Sequence, residues 1–360
     1  MNSNIKNIIS LIAIIIALII AWKLKTILAY IIISFVLSLI GRPIMELLKK
    51  IKIKQHFIPS SIRSIITLSI LVSFFLLIFS AFIPLIIEES KNISKINLNV
   101  VSENLDQPIN DLKVWLNNKN LMFETEELKK EIFNLFSFTK FSSIFNSIIG
   151  ILGNSAIAIF SMLFITFFLL KEKELANTVI FALTPENKRT NIKNILNNTR
   201  KLLSRYFIGI IIQVSLITII VSGALSFLDI KNFILIGFLV GVMNVIPYIG
   251  PIIGGLLGVL IAVTTNIHLD FYNELIPLSS KMVLIFAIVQ VIDNFIFQPL
   301  IFSNSVKAHP LEIFILVLSA GSIWGIIGMI TAIPLYTLFR VIAKEFLSEF
   351  KVVEELTKNI

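Results

Sequence analysis

The chain has 360 residues, 56% of them hydrophobic and only 15% charged, where a soluble domain carries about 25% charged residues. That composition excludes disorder, and no soluble core absorbs so much apolar surface; the hydrophobicity falls in blocks almost free of charge, so lipid is the solvent for much of the chain. The net charge of +9 and the absence of Cys exclude two more classes: the basic residues are not interleaved with aromatics on a soluble face as nucleic-acid binding requires, and thiolate chemistry and Cys-ligated metals are impossible.

In chain order, the first apolar run, 8–21, follows Lys6 and superficially resembles a signal peptide. Trp22, Lys23 and Lys25 stand where a small-residue cleavage site belongs, and a second run, 26–40, comes at once, so the pair is predicted to be an uncleaved hairpin of short spans. Further runs cover 63–87, 144–170, 206–228, 233–263, 282–302 and 311–339, which makes eight segments. Six basic residues (Arg42, Lys49, Lys50, Lys52, Lys54, Arg63) and eight more (Lys171, Lys173, Lys188, Arg189, Lys193, Arg200, Lys201, Arg205) fill two connectors. Lys and Arg mark the cytoplasmic side, so both termini are predicted inside and the connector 88–146 outside. That connector holds seven Lys and nine acidic residues. Ile93, Ile96, Val100, Leu105, Ile109, Leu112 and Leu116 recur in it at near-helical spacing, and Thr125 reads as a helix N-cap before Leu128, Ile132 and Leu135. It is expected to be a small helical insertion packed on the membrane part or on a neighbouring subunit, with a ligand-collecting domain as the alternative.

Conventional catalytic signatures are missing. His56, His268 and His309 are far apart, and H-E-x-x-H, G-x-S-x-G, P-loop and dinucleotide motifs are absent, so zinc proteolysis and ATP-driven transport lack their machinery and no cofactor or metal is expected. What remains is a set of polar and helix-breaking residues inside apolar runs, where each must find a partner or line water because hydrocarbon offers no hydrogen bonds.

The run 233–263 holds Gly237, Gly241, Asn244, Pro247, Tyr248, Gly250, Pro251, Gly254 and Gly258. Glycines four apart let helices approach closely, and each proline removes a backbone donor. As one straight helix the run would be about 46 Å long against a hydrocarbon core of about 30 Å. It is either a kinked packing helix or a break that offers backbone groups to a substrate or ion, with Asn244 one turn before it. In 282–302, Gln290, Asp293 and Asn294 share a helical face by their spacing of three and four, and Gln298-Pro299 follows. An ionised Asp at membrane depth costs at least about 2.5 to 3.5 kcal/mol, which points to a polar path; an anchor at headgroup level is the alternative if the segment ends early. Last come His309-Pro310 and a glycine-rich run in which Gly328-Met-Ile-Thr331-Ala-Ile-Pro334 repeats, weakly, the offsets of Gly241-Val-Met-Asn244-Val-Ile-Pro247.

Taken together, Asn244-Val-Ile-Pro247-Tyr248-Ile-Gly250-Pro251, Asp293-Asn294 with Gln298-Pro299, His309-Pro310, and Gly325-Ile-Ile-Gly328-Met with Pro334 resemble, in order and spacing, the autoinducer-2 exporter (AI-2E) family of bacterial membrane proteins. The likeness covers about 200–342, and the hydropathy of the N-terminal half agrees more loosely. In one departure, where the family often has Gln directly after Gly209, this chain has Ile210 and the Gln comes at Gln213, so the resemblance assigns that Gln no role. The resemblance implies a transporter of the bacterial cytoplasmic membrane, whose relatives are linked to export of the quorum-sensing signal autoinducer-2 or to exchange of sodium or lithium against protons.

The expectation is therefore an all-α polytopic integral membrane protein: membrane helices in 1–87, an extracytoplasmic helical insertion in 88–146, a transport unit in 147–345 and a cytoplasmic tail in 346–360. It is expected to act as a secondary transporter or facilitator and not as an enzyme. Its expected partners are the lipid bilayer, a small hydrophilic solute or a monovalent cation or proton, and, from its Gly-rich faces, further copies of itself. Expected pathway residues are Asn244, Pro247, Tyr248, Gly250, Pro251, Gln290, Asp293, Asn294, Gln298, Pro299, His309, Pro310, Gly325, Gly328 and Pro334. The rival from another class is a scaffold or receptor acting through 88–146, which would have no need of polar groups inside its spans. The runs 233–263 and 311–339 are expected to be re-entrant hairpins in two inverted halves, with their two breaks meeting near the midplane; eight full spans is the rival topology. Single Cys substitutions test the orientation: with an impermeant thiol reagent on intact cells, positions 52 and 193 should stay unlabelled.

Overall fold

The computed structural model describes residues 23–53, 56–94, 107, 110–111, 113–114, 156–172, 175–182, 184–266, 269–306, 308–347 and 350–357. The first apolar run, the Thr125 cap, most of 88–146 and His268 lie outside these residues. Helix α1 (Lys25–Lys50) leads through a ribbon of two-residue strands, β1 (Lys52–Ile53) and β2 (His56–Phe57), into α2 (Ser60–Ser94). There follow α3 (Ala156–Lys171), α4 (Leu175–Ala182), α5 (Arg189–Ser226), α6 (Phe233–Met243) and α7 (Ile249–Thr265). A long rod then runs from a π-helical turn, Phe271–Leu275, through α8 (Ile276–Ile292) and a second π-turn, Asp293–Phe297, into α9 (Gln298–Ser305). Helices α10 (Pro310–Phe346) and α11 (Lys351–Thr357) end the chain. The fold is all-α, and among the described residues α1, α2, α5 and the rod, with α10 counted along its whole length, are long and apolar enough to cross a membrane. Their outward faces carry large apolar side chains, among them Leu77, Ile219 and Phe295, as helices solvated by lipid do.

The helices pack into two compact units, Met1–Leu76 with Gly153–Leu196, and Leu77–Leu152 with Asn197–Ile360. In the first, the Ser34 hydroxyl donates to the Met162 carbonyl at 2.9 Å and the Ser60 hydroxyl to the Lys171 carbonyl at 2.9 Å. These bonds satisfy hydroxyls that hydrocarbon would leave unpaired.

The second unit contains two hairpins. In the first, α6 and α7 run antiparallel: Gly254 lies against Val240 and Met243, and Gly258 against Ile236. A methyl group on Gly237 or Gly241 would collide with backbone atoms of α5, so these glycines seat α6 directly on that helix. Buried Ile217, Val221, Leu225, Leu235, Ile236 and Met282 form the core between α5, the hairpin and the rod. Glu89, near the end of α2, closes the open end of this hairpin. Its carboxylate accepts from Asn232 Nδ2 at 2.5 Å and from Thr265 Oγ1 at 3.0 Å, one residue from each arm, and it is buried.

The 37 residues of α10 are also folded back. Gly328 lies against Ala320 and Trp324, Gly321 against Met329, and Tyr336 OH donates to Glu312 Oε2 at 2.9 Å. In a straight helix, residues 8 and 24 apart would be about 12 and 36 Å from each other. The reversal is at Gly325, whose φ of 61° and ψ of −145° lie in a region open essentially to glycine. Pro310 occupies the first helical position, and the preceding residue, His309, accepts through Nδ1 from Leu311 N at 3.2 Å, a helix N-cap.

Both long runs are hairpins, as the lengths predict, and the second break lies at Gly325, outside the stretch 328–334 that repeats the offsets of 241–247. It falls nine residues before Pro334, because the reversal needs a positive φ that Gly325 supplies and Pro334 cannot. Nor do the two breaks meet. Ile246 and Tyr248, at the first, pack on Pro310, Ile313 and Phe314 near the open end of the second hairpin, about 16 Å of helix away from Gly325. Ile323, Trp324, Ile326 and Ile327 beside Gly325 are exposed.

A methyl group would meet no atom within 4 Å at either Gly325 or Gly223 of α5, so only backbone conformation separates the two positions. Gly325→Ala should cost about 1 to 3 kcal/mol, whereas Gly223→Ala should be neutral or stabilise by up to about 1 kcal/mol. Unfolding midpoints of the two variants in detergent check this.

Candidate functional site

Asp293 is the first residue of the second π-turn and is completely buried. The wide turn has a local cause: Pro299 has no N–H for the carbonyl of Phe295 and its ring presses on that turn, and an extra residue in the ladder relieves the crowding. Gln290, Asp293 and Asn294 keep α-helical spacing, but successive residues point about 100° apart: Asp293 turns into the core, while Asn294 is exposed and accepts from Gln290 Nε2 at 2.8 Å.

Three amides from three pieces of chain surround the Asp293 carboxyl. Gln213 Nε2 of α5 donates to Oδ1 at 2.6 Å, and Gln298 Nε2 donates to Oδ2 at 2.7 Å. Gln298 Nε2 also reaches Asn294 Oδ1 at 3.0 Å. Asn244, at the first hairpin's break, is the third amide beside the carboxyl. All three amides are buried. Asn244 Oδ1 is buried and without a hydrogen-bond partner. Beside it lies a small cavity lined by Tyr206, Ile210, Gln213, Asn244, Pro247 and Gln298, with about 10 Å³ of room for the centre of a water molecule, near the minimum for one water.

The break that carries Asn244 is strained. Tyr248 has φ 67° and ψ −48°, and Ile249 N donates to Pro247 O at 2.8 Å across it, the geometry of the rare γ-turn with positive φ. Contacts on the far side hold it: Tyr248 OH donates to the Pro310 carbonyl at 3.3 Å, and the ring meets Phe314 edge-on at 5.3 Å. Gly250 completes the reversal, since a methyl there would occupy the place of the Met243 carbonyl. Pro251 interrupts no ladder, because it lies in the first turn of α7, where its missing N–H would have no partner within the helix.

Of the pathway residues expected from sequence, the structure brings together Asn244, Pro247, Asp293 and Gln298, with Tyr248, Gly250 and Pro251 shaping the turn and Gln290, Asn294 and Pro299 around the bulge. His309 and Pro310 form a helix start that braces Tyr248. Gly325, Gly328 and Pro334 shape the second hairpin away from Asp293. Sequence reasoning missed Gln213 and Tyr206. The signal for Gln213 was present, an amide in a span otherwise apolar; Tyr206 marked only the edge of an apolar run. Among the described residues, no group of three or more His, Asp and Glu could hold a metal ion.

Removing one donor tests the arrangement. Gln213→Leu leaves Asp293 Oδ1 unsatisfied and should lower stability by about 1 to 2 kcal/mol, while Asn294→Ala, at an exposed position, should stay within about 0.5 kcal/mol of the parent. Unfolding in detergent reads both.

The family model described as AI-2E family transporter matches residues 8–348. Among curated proteins, the chain is 28% identical over 188 residues to the "Putative transport protein YrrI" of Bacillus subtilis (strain 168), covering 51% of this chain and 50% of that one. It is 24% identical over 205 residues to the "Putative transport protein YueF" of the same organism, covering 55% and 52%. A shorter stretch of 58 residues is 38% identical to the "Putative permease PerM" of Escherichia coli (strain K12), covering 16% of each. The chain spans about half the length of the first two relatives it matches. With the family model matched over nearly its whole length, and with long apolar helices, paired hairpins and a buried polar cluster, the chain belongs to the AI-2E family of membrane transporters.

Proposed function

We propose that the protein passes a small hydrophilic solute, such as autoinducer-2, across the bacterial cytoplasmic membrane, and that the cluster of Asp293, Gln213, Asn244 and Gln298 is the point the solute must cross. The observation that carries this is a completely buried carboxyl in an apolar helical unit whose hydrogen-bond partners are neutral amides. Such a group is costly in hydrocarbon unless function retains it. The amides match the hydroxyl and carbonyl groups of a polyhydroxylated solute, and a strained hairpin break beside a discontinuous helix is where transporters place their sites. Both termini and the basic connectors lie in the cytoplasm in this proposal, and several copies of the chain assemble in the membrane.

A second reading, exchange of sodium or lithium against protons, draws on the unpaired Oδ1 of Asn244. The Asp293 carboxyl beside it needs one positive charge, a proton or a monovalent cation, to be neutral in an apolar unit. A scaffold acting through 88–146 has no use for these groups.

Purified protein in liposomes distinguishes the readings by flux of autoinducer-2, sodium and protons. Asp293→Asn keeps the shape and removes the charge; it should fold and lower the flux at least about tenfold, equivalent to about 1.4 kcal/mol in the barrier. A variant that transports like the parent at every pH excludes this site.

A further inference from the structure

The outer side of α5 carries a stripe that the transport site does not use. Lys201, Arg205, Gly209, Ile212 and Leu216 follow one another at intervals of four, four, three and four residues, so they share one helical face. Lys201 and Arg205 are exposed, and Arg205 is the last charged residue before the uncharged stretch that begins at Tyr206. Beyond it the face opens into an apolar groove of about 290 Å³, walled on the other side by Phe297, Leu300 and Ile301 of the rod. Gly209 sets the floor, because its missing side chain lets Ile301 approach α5. From Arg205 to Leu216 the groove follows about 16 Å of helix, close to the half-thickness of a hydrocarbon core. Ile212 and Leu300 on its rim are exposed.

Two cations at the polar end of an apolar slot as long as one leaflet complement a single kind of molecule, an amphiphile with an anionic head and a long acyl chain. We infer that this groove binds an anionic phospholipid, its phosphate on Arg205 and Lys201 and one acyl chain along Gly209, Ile212 and Leu216. An ordinary annular lipid contact would not select the headgroup, whereas this geometry does, since a choline head would bring a positive charge to two others. The acyl chain would cover the seam between α5 and the rod, the seam across which Gln213 reaches Asp293. The inference does not require the transport reading, and lipid binding is measured without flux.

Native mass spectrometry of the full chain in detergent, with phosphatidylglycerol or phosphatidylcholine of identical acyl chains, tests it. Phosphatidylglycerol should be retained in preference. Arg205→Gln and Lys201→Gln should each weaken its retention about fivefold, the contribution of one cation at an anionic lipid surface. Leu216→Trp, which fills the slot, should abolish it, and Lys231→Gln, an exposed charge beyond the far end of α5, should leave it unchanged. Unfolding midpoints establish that the variants are folded, and the two exposed charge substitutions stand as the test if Leu216→Trp is not. Equal retention of the two lipids, retention indifferent to both charge substitutions, an equal loss in Lys231→Gln, or displacement of the lipid by glycerol phosphate would each overturn the assignment, the last by showing a site for a free anion.

Discussion

A carboxyl group buried among apolar helices needs donors that hydrocarbon cannot supply, and much of the second unit is arranged around supplying them to Asp293. One donor comes from the middle of α5 and one from the turn after the bulge, and the tip of a hairpin brings a third amide beside them, so three separate pieces of chain must hold their places. The glycines that seat α6 on α5 bring Asn244 close enough, and the π-turn aims Asp293 inward and Gln298 back toward it. The loss of any one of these features leaves a buried polar atom unpaired.

The two hairpins reach similar shapes by different means. The first reverses through Pro247 and a non-glycine residue held at positive φ, a strain repaid by the contacts of Tyr248 with Pro310 and Phe314. The second reverses at a glycine for which that conformation is ordinary, and the large side chains beside it are exposed. Each open end is closed by polar groups. Glu89 joins Asn232 to Thr265 at one, and at the other Tyr336 donates to Glu312 while buried Arg340 donates through Nη1 to the Val306 carbonyl at 2.9 Å. Each arrangement follows a long helix, α5 in one case and the rod in the other, so the unit repeats a helix-then-hairpin plan. The tip of the first hairpin lies at the site and that of the second does not, because the breaks fall at different points along their arms.

Several features were legible in the sequence by itself. Runs of apolar residues broken by basic connectors established a polytopic helical protein, since only helices and closed barrels satisfy backbone groups in lipid and these runs have helical length. The length of 233–263 and 311–339 against the thickness of a bilayer required each to bend. Asp293 identified itself by the cost of its charge, and the motifs around it by their spacing. Tertiary structure alone decided the rest. Which of Gln290, Asp293 and Asn294 faces the core depends on what packs against that side of the rod, since successive residues point about 100° apart and spacing alone does not choose between them. The position of the second reversal depends on which glycine takes a positive φ, and several glycines in the run permit it. That Gln213 and Asn244 meet Asp293 across intervals of 80 and 49 residues in the sequence follows from helix packing, and packing is set by side-chain volumes at contacts that have no counterpart in local spacing.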